Sequence, residues 1–70
     1  MLRNRVRELR ARDHLTQADL ANKIGATRQT VGMIEKADYA PSVALALKIS
    51  SVFNVALEEV FWLESEDEAK

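Results

Sequence analysis

Thr16 to Lys36 read TQADLANKIGATRQTVGMIEK, two short apolar-periodic segments separated by a glycine. Leu20, Ala21 and Ile24 repeat at helical spacing in the first, and Val31 and Ile34 do so in the second. Thr16 stands where a helix N-cap belongs, and Asp19 three residues on puts a carboxylate near the positive end of the helix. Gly25 follows Ile24, where a helix C-terminus favours a residue free to take positive φ. Thr27 is the natural N-cap of the second segment. The small Ala21 on the packing side and a connection this short predict two helices crossing at a tight turn, a helix-turn-helix.

Working outward from this corner, residues 4–12 predict a first helix, with Val6, Leu9 and Arg10 at helical spacing and Asn4 as its cap. Asp13-His14 is the connection, and Leu15 is expected to turn inward just before Thr16. On the other side, Ala37–Pro41 reads as a loop, because Ala40 precedes a proline and Asp38 forms turns. Ser42 caps a fourth helix, VALALKISSVF, with Leu45, Ile49 and Val52 as its stripe, widened by Leu47 and Phe53, and Asn54 suits its end. Ala56–Val60 is long enough for a short fifth helix. Phe61-Trp62-Leu63 either continues that helix or forms a β-prone extended segment. If extended, Leu2-Arg3 is the one evident strand partner in the chain. The fold class expected is therefore all-α with five helices and an optional terminal β segment. The domain spans residues 1–63, followed by an acidic tail at 64–70 that needs no fixed conformation.

Seventy residues suffice for a single small core. With no cysteine, neither a disulfide framework nor a thiolate metal site can support it. The arginine-rich N-terminus lacks the continuous apolar stretch of a signal peptide, and nothing approaches the roughly 20 apolar residues of a membrane span, so a soluble cytoplasmic protein is expected. The net charge of −1 conceals an asymmetry. Residues 1–57 carry nine Lys/Arg against five acids, net +4, whereas residues 58–70 carry six acids against Lys70, net −5. A basic body is compatible with phosphate binding, since the field that matters is local to one face.

The stretch LTQADLANKIGATRQTVGMIEK, followed by YAPSVALALKIS and NVALEEVFWL, resembles the Cro/C1-type helix-turn-helix repressors, the XRE family, in their compact single-domain form. The resemblance covers residues 3–63, and its weight lies in several separated elements recurring in order. It implies a five-helix lambda-repressor-like domain whose third helix enters the major groove of double-stranded DNA, usually presented twice by a homodimer on a palindromic operator. It also implies that Arg10 of the first helix pairs with Glu35 as a structural ion pair, and that Gln17 contacts a phosphate. Two departures stand out. Lys36-Ala37 replaces the usual Asn-Gly, so that turn cannot rely on glycine. Gly32 lies inside the recognition helix, at a cost of about 0.5–1 kcal/mol relative to Ala.

Candidate DNA-reading residues follow from position. Arg28 and Gln29 lie at the N-terminal end of the second motif helix, the end that reads bases in this docking mode. Arg can donate two parallel hydrogen bonds to guanine and Gln can pair with adenine, although Arg28 can also reach a phosphate. Met33, one turn on, can touch a thymine methyl or fold back toward the core. The backbone N–H of Gln17 is one of the unpaired donors that suit a phosphate oxygen. Thr27, Lys36, Tyr39 and Ser42 would extend the phosphate clamp, with Tyr39 alternatively packed over its loop. Thr30 suits a phosphate or its own helix backbone better than a base.

Other polar residues invite plainer readings. Arg3, Arg5, Arg7 and Arg12 fall around the first helix rather than on one stripe, which favours a solvated surface over DNA contact. His14 is the single histidine and has no cysteine partner, so no metal site or cofactor is expected. Glu58 and Glu59 lack a nucleophile or pocket, and no cluster has catalytic spacing, so no enzyme is expected. Phe61, Trp62 and Leu63 are the candidate dimer interface, with Phe61 expected in the core and Trp62 near the partner. The expected function is a sequence-specific DNA-binding regulator, a repressor acting as a homodimer. An antitoxin-like interaction module, binding a protein partner through its C-terminal region, is the competing reading.

Overall fold

A computed structural model describes residues 1–64. The chain runs β1 (Leu2–Asn4), α1 (Val6–Arg12), α2 (Gln17–Ile24), α3 (Arg28–Glu35), α4 (Val43–Phe53), α5 (Leu57–Val60) and β2 (Phe61–Leu63). All five expected helices are present, and the terminal segment is extended rather than helical. β1 and β2 pair antiparallel, with Leu2 opposite Leu63, Arg3 opposite Trp62 and Asn4 opposite Phe61. The pairing continues past the strand ends, where Met1 and Glu64 exchange backbone hydrogen bonds of 2.9 and 2.8 Å. A two-stranded ribbon alone would be marginal. Here Phe61 anchors it by entering the core, and Asn4 ties it to α3.

The first helix therefore starts at Val6, the first of its periodic residues, rather than at residue 4. Asn4 belongs to β1, and Arg5 occupies the N-cap position without a side-chain cap bond. Asn4 still serves the helix from one residue farther out, because its Oδ1 accepts from the Val6 N–H at 3.0 Å. Its Nδ2 donates to the Ile34 carbonyl at 2.9 Å, near the last turn of α3. One amide thus joins β1, α1 and α3, a role that helical periodicity cannot express.

The other starts are capped locally. The Thr16 side chain accepts from the Asp19 N–H while the Asp19 carboxylate accepts from the Thr16 N–H, a reciprocal capping box. Thr27 and Ser42 accept from the N–H groups of Thr30 and Leu45. At the other ends α1, α2, α3 and α4 close alike, through a left-handed residue: His14 (φ 60°), Gly25 (φ 72°), Ala37 (φ 64°) and Asn54 (φ 57°). The N–H of the following residue then reaches back to a carbonyl five positions earlier, as in Leu15 to Arg10 and Asp38 to Met33. Only one of these four turns has the glycine that such a backbone favours.

Val6, Leu9, Leu20, Ala21, Ile24, Val31, Ile34, Ala46, Ile49, Phe53, Val60 and Phe61 form one continuous core, so every helix contributes. Each large aliphatic or aromatic side chain buried there is worth about 1.5–3 kcal/mol. On α4 the inward face is Ala46, Ile49, Ser50 and Phe53, flanked by the partly buried Leu45 and Val52. Leu47 does not widen that stripe. It lies two positions before Ile49, on the far side of the helix, and is 48% exposed. The buried Ser50 hydroxyl is satisfied by the Leu47 carbonyl at 2.9 Å. Among the described residues, no helix is long and apolar enough to cross a membrane.

Candidate nucleic-acid interface

α3 divides by face. Val31 and Ile34 point into the core, and what remains outward at the same helical spacing is Arg28, Gln29, Gly32 and Met33, continued by Lys36. With Gln17 of α2, these residues line one shallow surface recess. Arg28 and Gln29 are exposed and have no hydrogen-bond partner among the described residues. Met33 is 37% exposed and belongs to this outer face rather than to the core. The arrangement presents two long polar side chains and one apolar one beyond the Thr27 cap, on a helix whose other face holds it rigidly.

Gln17 and Glu35 meet behind that face. Arg10 donates from Nε to Glu35 Oε2 at 2.5 Å and from Nη2 to Oε1 at 3.1 Å, a two-point fork. A third bond, Arg10 Nη1 to the Leu15 carbonyl at 2.9 Å, fixes the entry to the motif. The hydrogen bonds that Arg10 donates to Glu35 hold it all the more firmly in its charged form. Gln17 Nε2 donates to the same Glu35 Oε1 at 3.1 Å. The ion pair that the resemblance implies is thus one part of a three-residue chain spanning α1, α2 and α3. Its last member is a residue of the outer face. Gln17 and Glu35 are 18 residues apart in the sequence, and only the crossing of the helices joins them.

The remaining candidates are placed as follows. The Thr27 and Thr30 hydroxyls share one hydrogen bond of 2.9 Å at the start of α3, and the Ser42 hydroxyl caps α4. Tyr39 is 43% exposed and borders a hollow with Met1, Leu2, Asn4, Ala37 and Phe61, beside the loop and the terminal ribbon. Phe61 is buried, while Trp62 and Leu63 are 38% and 74% exposed, so the candidate interface reduces to those two residues. The Arg5 guanidinium lies 5.0 Å from the Trp62 ring centroid and covers part of it. Residues 65–70, which make up most of the expected acidic tail, lie outside the described residues. Among the described residues no group of three or more His, Asp or Glu side chains could hold a metal ion.

A model of the family described as Helix-turn-helix matches residues 6–60, from the first residue of α1 to the last of α5. HTH-type transcriptional regulator YgzD of Bacillus subtilis (strain 168) is 53% identical over 66 residues, which cover 94% of this chain and 100% of the relative. HTH-type transcriptional regulator MJ0272 of Methanocaldococcus jannaschii is 44% identical over 66 residues, again 94% of this chain and 100% of the relative. The crystal structure of a candidate DNA-binding protein from Bacteroides fragilis superposes with a TM-score of 0.79 over 89% of this chain at 22% identity. The superposition takes in 100% of that chain and speaks to the fold.

Proposed function

The chain belongs to the Cro/C1-type helix-turn-helix family of DNA-binding transcriptional regulators, and from that premise we propose that it is a repressor that binds a palindromic operator as a homodimer. The observation that carries the reading is the outward row of α3, where Arg28, Gln29 and Met33 stand free beside Gln17. α3 enters the major groove, and Gln29 and Arg28 read base edges while Met33 meets a thymine methyl. Gln17, Thr27, Thr30, Lys36, Tyr39 and Ser42 contact the phosphates, which fixes register without adding sequence information. A protein of this kind needs no chemistry and acts in the cytoplasm, where occupying the operator excludes polymerase.

So few base-reading side chains per copy make a second copy necessary for selectivity. Trp62 and Leu63, on a strand beside the exposed Met1, supply the apolar patch that a two-fold pairing would bury on both subunits. Two recognition helices then read half-sites about 34 Å apart. Selection of bound duplexes from a random pool tests this directly. The expected product is an inverted repeat with one-turn spacing. Recovery of no consensus, with weak binding to every duplex, would refute it.

A further inference from the structure

The fold sorts the N-terminal arginines by partner. Arg3 pairs with Glu64 at 2.7 Å, Arg12 with Asp13 at 2.8 Å and with the Phe53 carbonyl, and Arg10 with Glu35. Arg5 lies over Trp62. Arg7 alone has no ion-pair, hydrogen-bond or ring partner among the described residues. It is exposed, and it lines a recess shared with Arg10, Gln17, Gly32, Glu35 and Lys36. That recess is continuous with the outer face of α3, since Gln17, Gly32 and Lys36 line both.

Its chemistry is that of a seat for one phosphodiester group. Three cations, Arg7, Arg10 and Lys36, face a single carboxylate, Glu35, whose oxygens already accept from Arg10 and Gln17. Gln17 gives one N–H to Glu35 and keeps the second for an incoming oxygen. A Cβ at position 32 would stand 3.6 Å from the Gln17 amide nitrogen, so glycine keeps the space in front of that amide open. Resting on the DNA-binding reading above, we propose that Arg7 is a phosphate-binding residue, and that it clamps one backbone phosphate jointly with Gln17 of α2 and Lys36 after α3. The interface then extends beyond the helix-turn-helix onto α1.

The test compares Arg7→Gln with Arg3→Gln and Arg12→Gln, three charge-equivalent changes. Binding is measured against salt concentration on a duplex recovered by selection and on a random-sequence duplex. Because a phosphate contact is blind to sequence, Arg7→Gln should lower the steepness of log K against log salt by about one on both duplexes. The other two variants should leave it near the wild-type value. An unchanged slope for Arg7→Gln, or an equal fall in all three, overturns the role of Arg7 while leaving the DNA-binding reading intact. Wild-type protein that binds neither duplex overturns that reading and the phosphate seat with it. Arg7 is exposed, so unchanged thermal unfolding of the variant identifies any loss as one of binding.

Discussion

Arg10 and Glu35, 25 residues apart, hold α1 to the end of α3 through a two-point guanidinium–carboxylate fork, with side chains only 15% and 6% exposed. Removing either partner strands a largely desolvated charge. Arg10→Met and Glu35→Leu are each expected to cost about 3–5 kcal/mol, read as a fall in urea midpoint. The double variant should cost less than the sum of the two, because it leaves neither charge unpaired. Additive losses would show that the pair acts as two independent residues.

Ala37 closes α3 in the left-handed region, at φ 64°, where a Cβ is unfavourable. Ala37→Gly relieves that strain but loosens the unfolded chain, so the expected net gain is about 0.5–1 kcal/mol. Equilibrium unfolding should show a higher midpoint with an unchanged m-value. Lower stability would mean that the Ala37 methyl contributes packing that outweighs its backbone strain.

Gly32→Ala should act in opposite senses on stability and binding. The nearest atoms its Cβ would meet are those of the Gln17 amide, at ordinary contact distance, so the helix gains roughly 0.5–1 kcal/mol. The same methyl narrows the space before that amide, and DNA affinity should fall. Thermal unfolding and a binding titration on one preparation check both signs, and a rise in both would assign Gly32 no part in the interface.

Gln29→Ala is expected to relax base preference at one position of each half-site, with a discrimination loss of about 1–3 kcal/mol. Gln17→Ala should weaken binding to all duplexes alike. Titrations against a panel of single-base operator variants separate the two patterns, and the reverse assignment of effects would exchange their roles.

Acid should loosen the start of α2. The Asp19 carboxylate is held below its usual pKa, first by the hydrogen bond from the Thr16 backbone and then by the Thr16 side chain. A lowered native pKa means that the stabilisation is complete above the unfolded value of 3.8 and is lost as pH falls through the native one. Asp19→Asn should therefore unfold with a shallower pH dependence below about pH 4 than the parent chain. Identical acid profiles would exclude the capping box as a contributor.

Much of the fold is legible because its signals are local. Thr16, Thr27 and Ser42 each cap a helix whose first turn follows directly, and Gly25 and Asn54 end helices at residues suited to positive φ. The outer row of α3 was equally readable, since the positions left over from the Val31–Ile34 stripe at 3.6-residue spacing must face outward. Two expectations failed. Leu47 lies between inward positions of α4 and points away, and Asn4, expected as the cap of the first helix, belongs to a strand while Arg5 takes the N-cap position.

The sequence by itself determined the five helices, the motif corner and which side chains of α3 face outward, because these follow from spacings of three to four residues and from caps within one turn. Only the tertiary structure decided how the exposed polar and aromatic residues are engaged. It paired Arg3 with Glu64 across 61 residues, bound Arg12 to the Phe53 carbonyl across 41, joined Gln17 to Glu35, buried Phe61 and left Trp62 and Arg7 at the surface. Side chains of one chemical type are indistinguishable in sequence. Which of them is satisfied depends on distances through space that arise once the helices have packed.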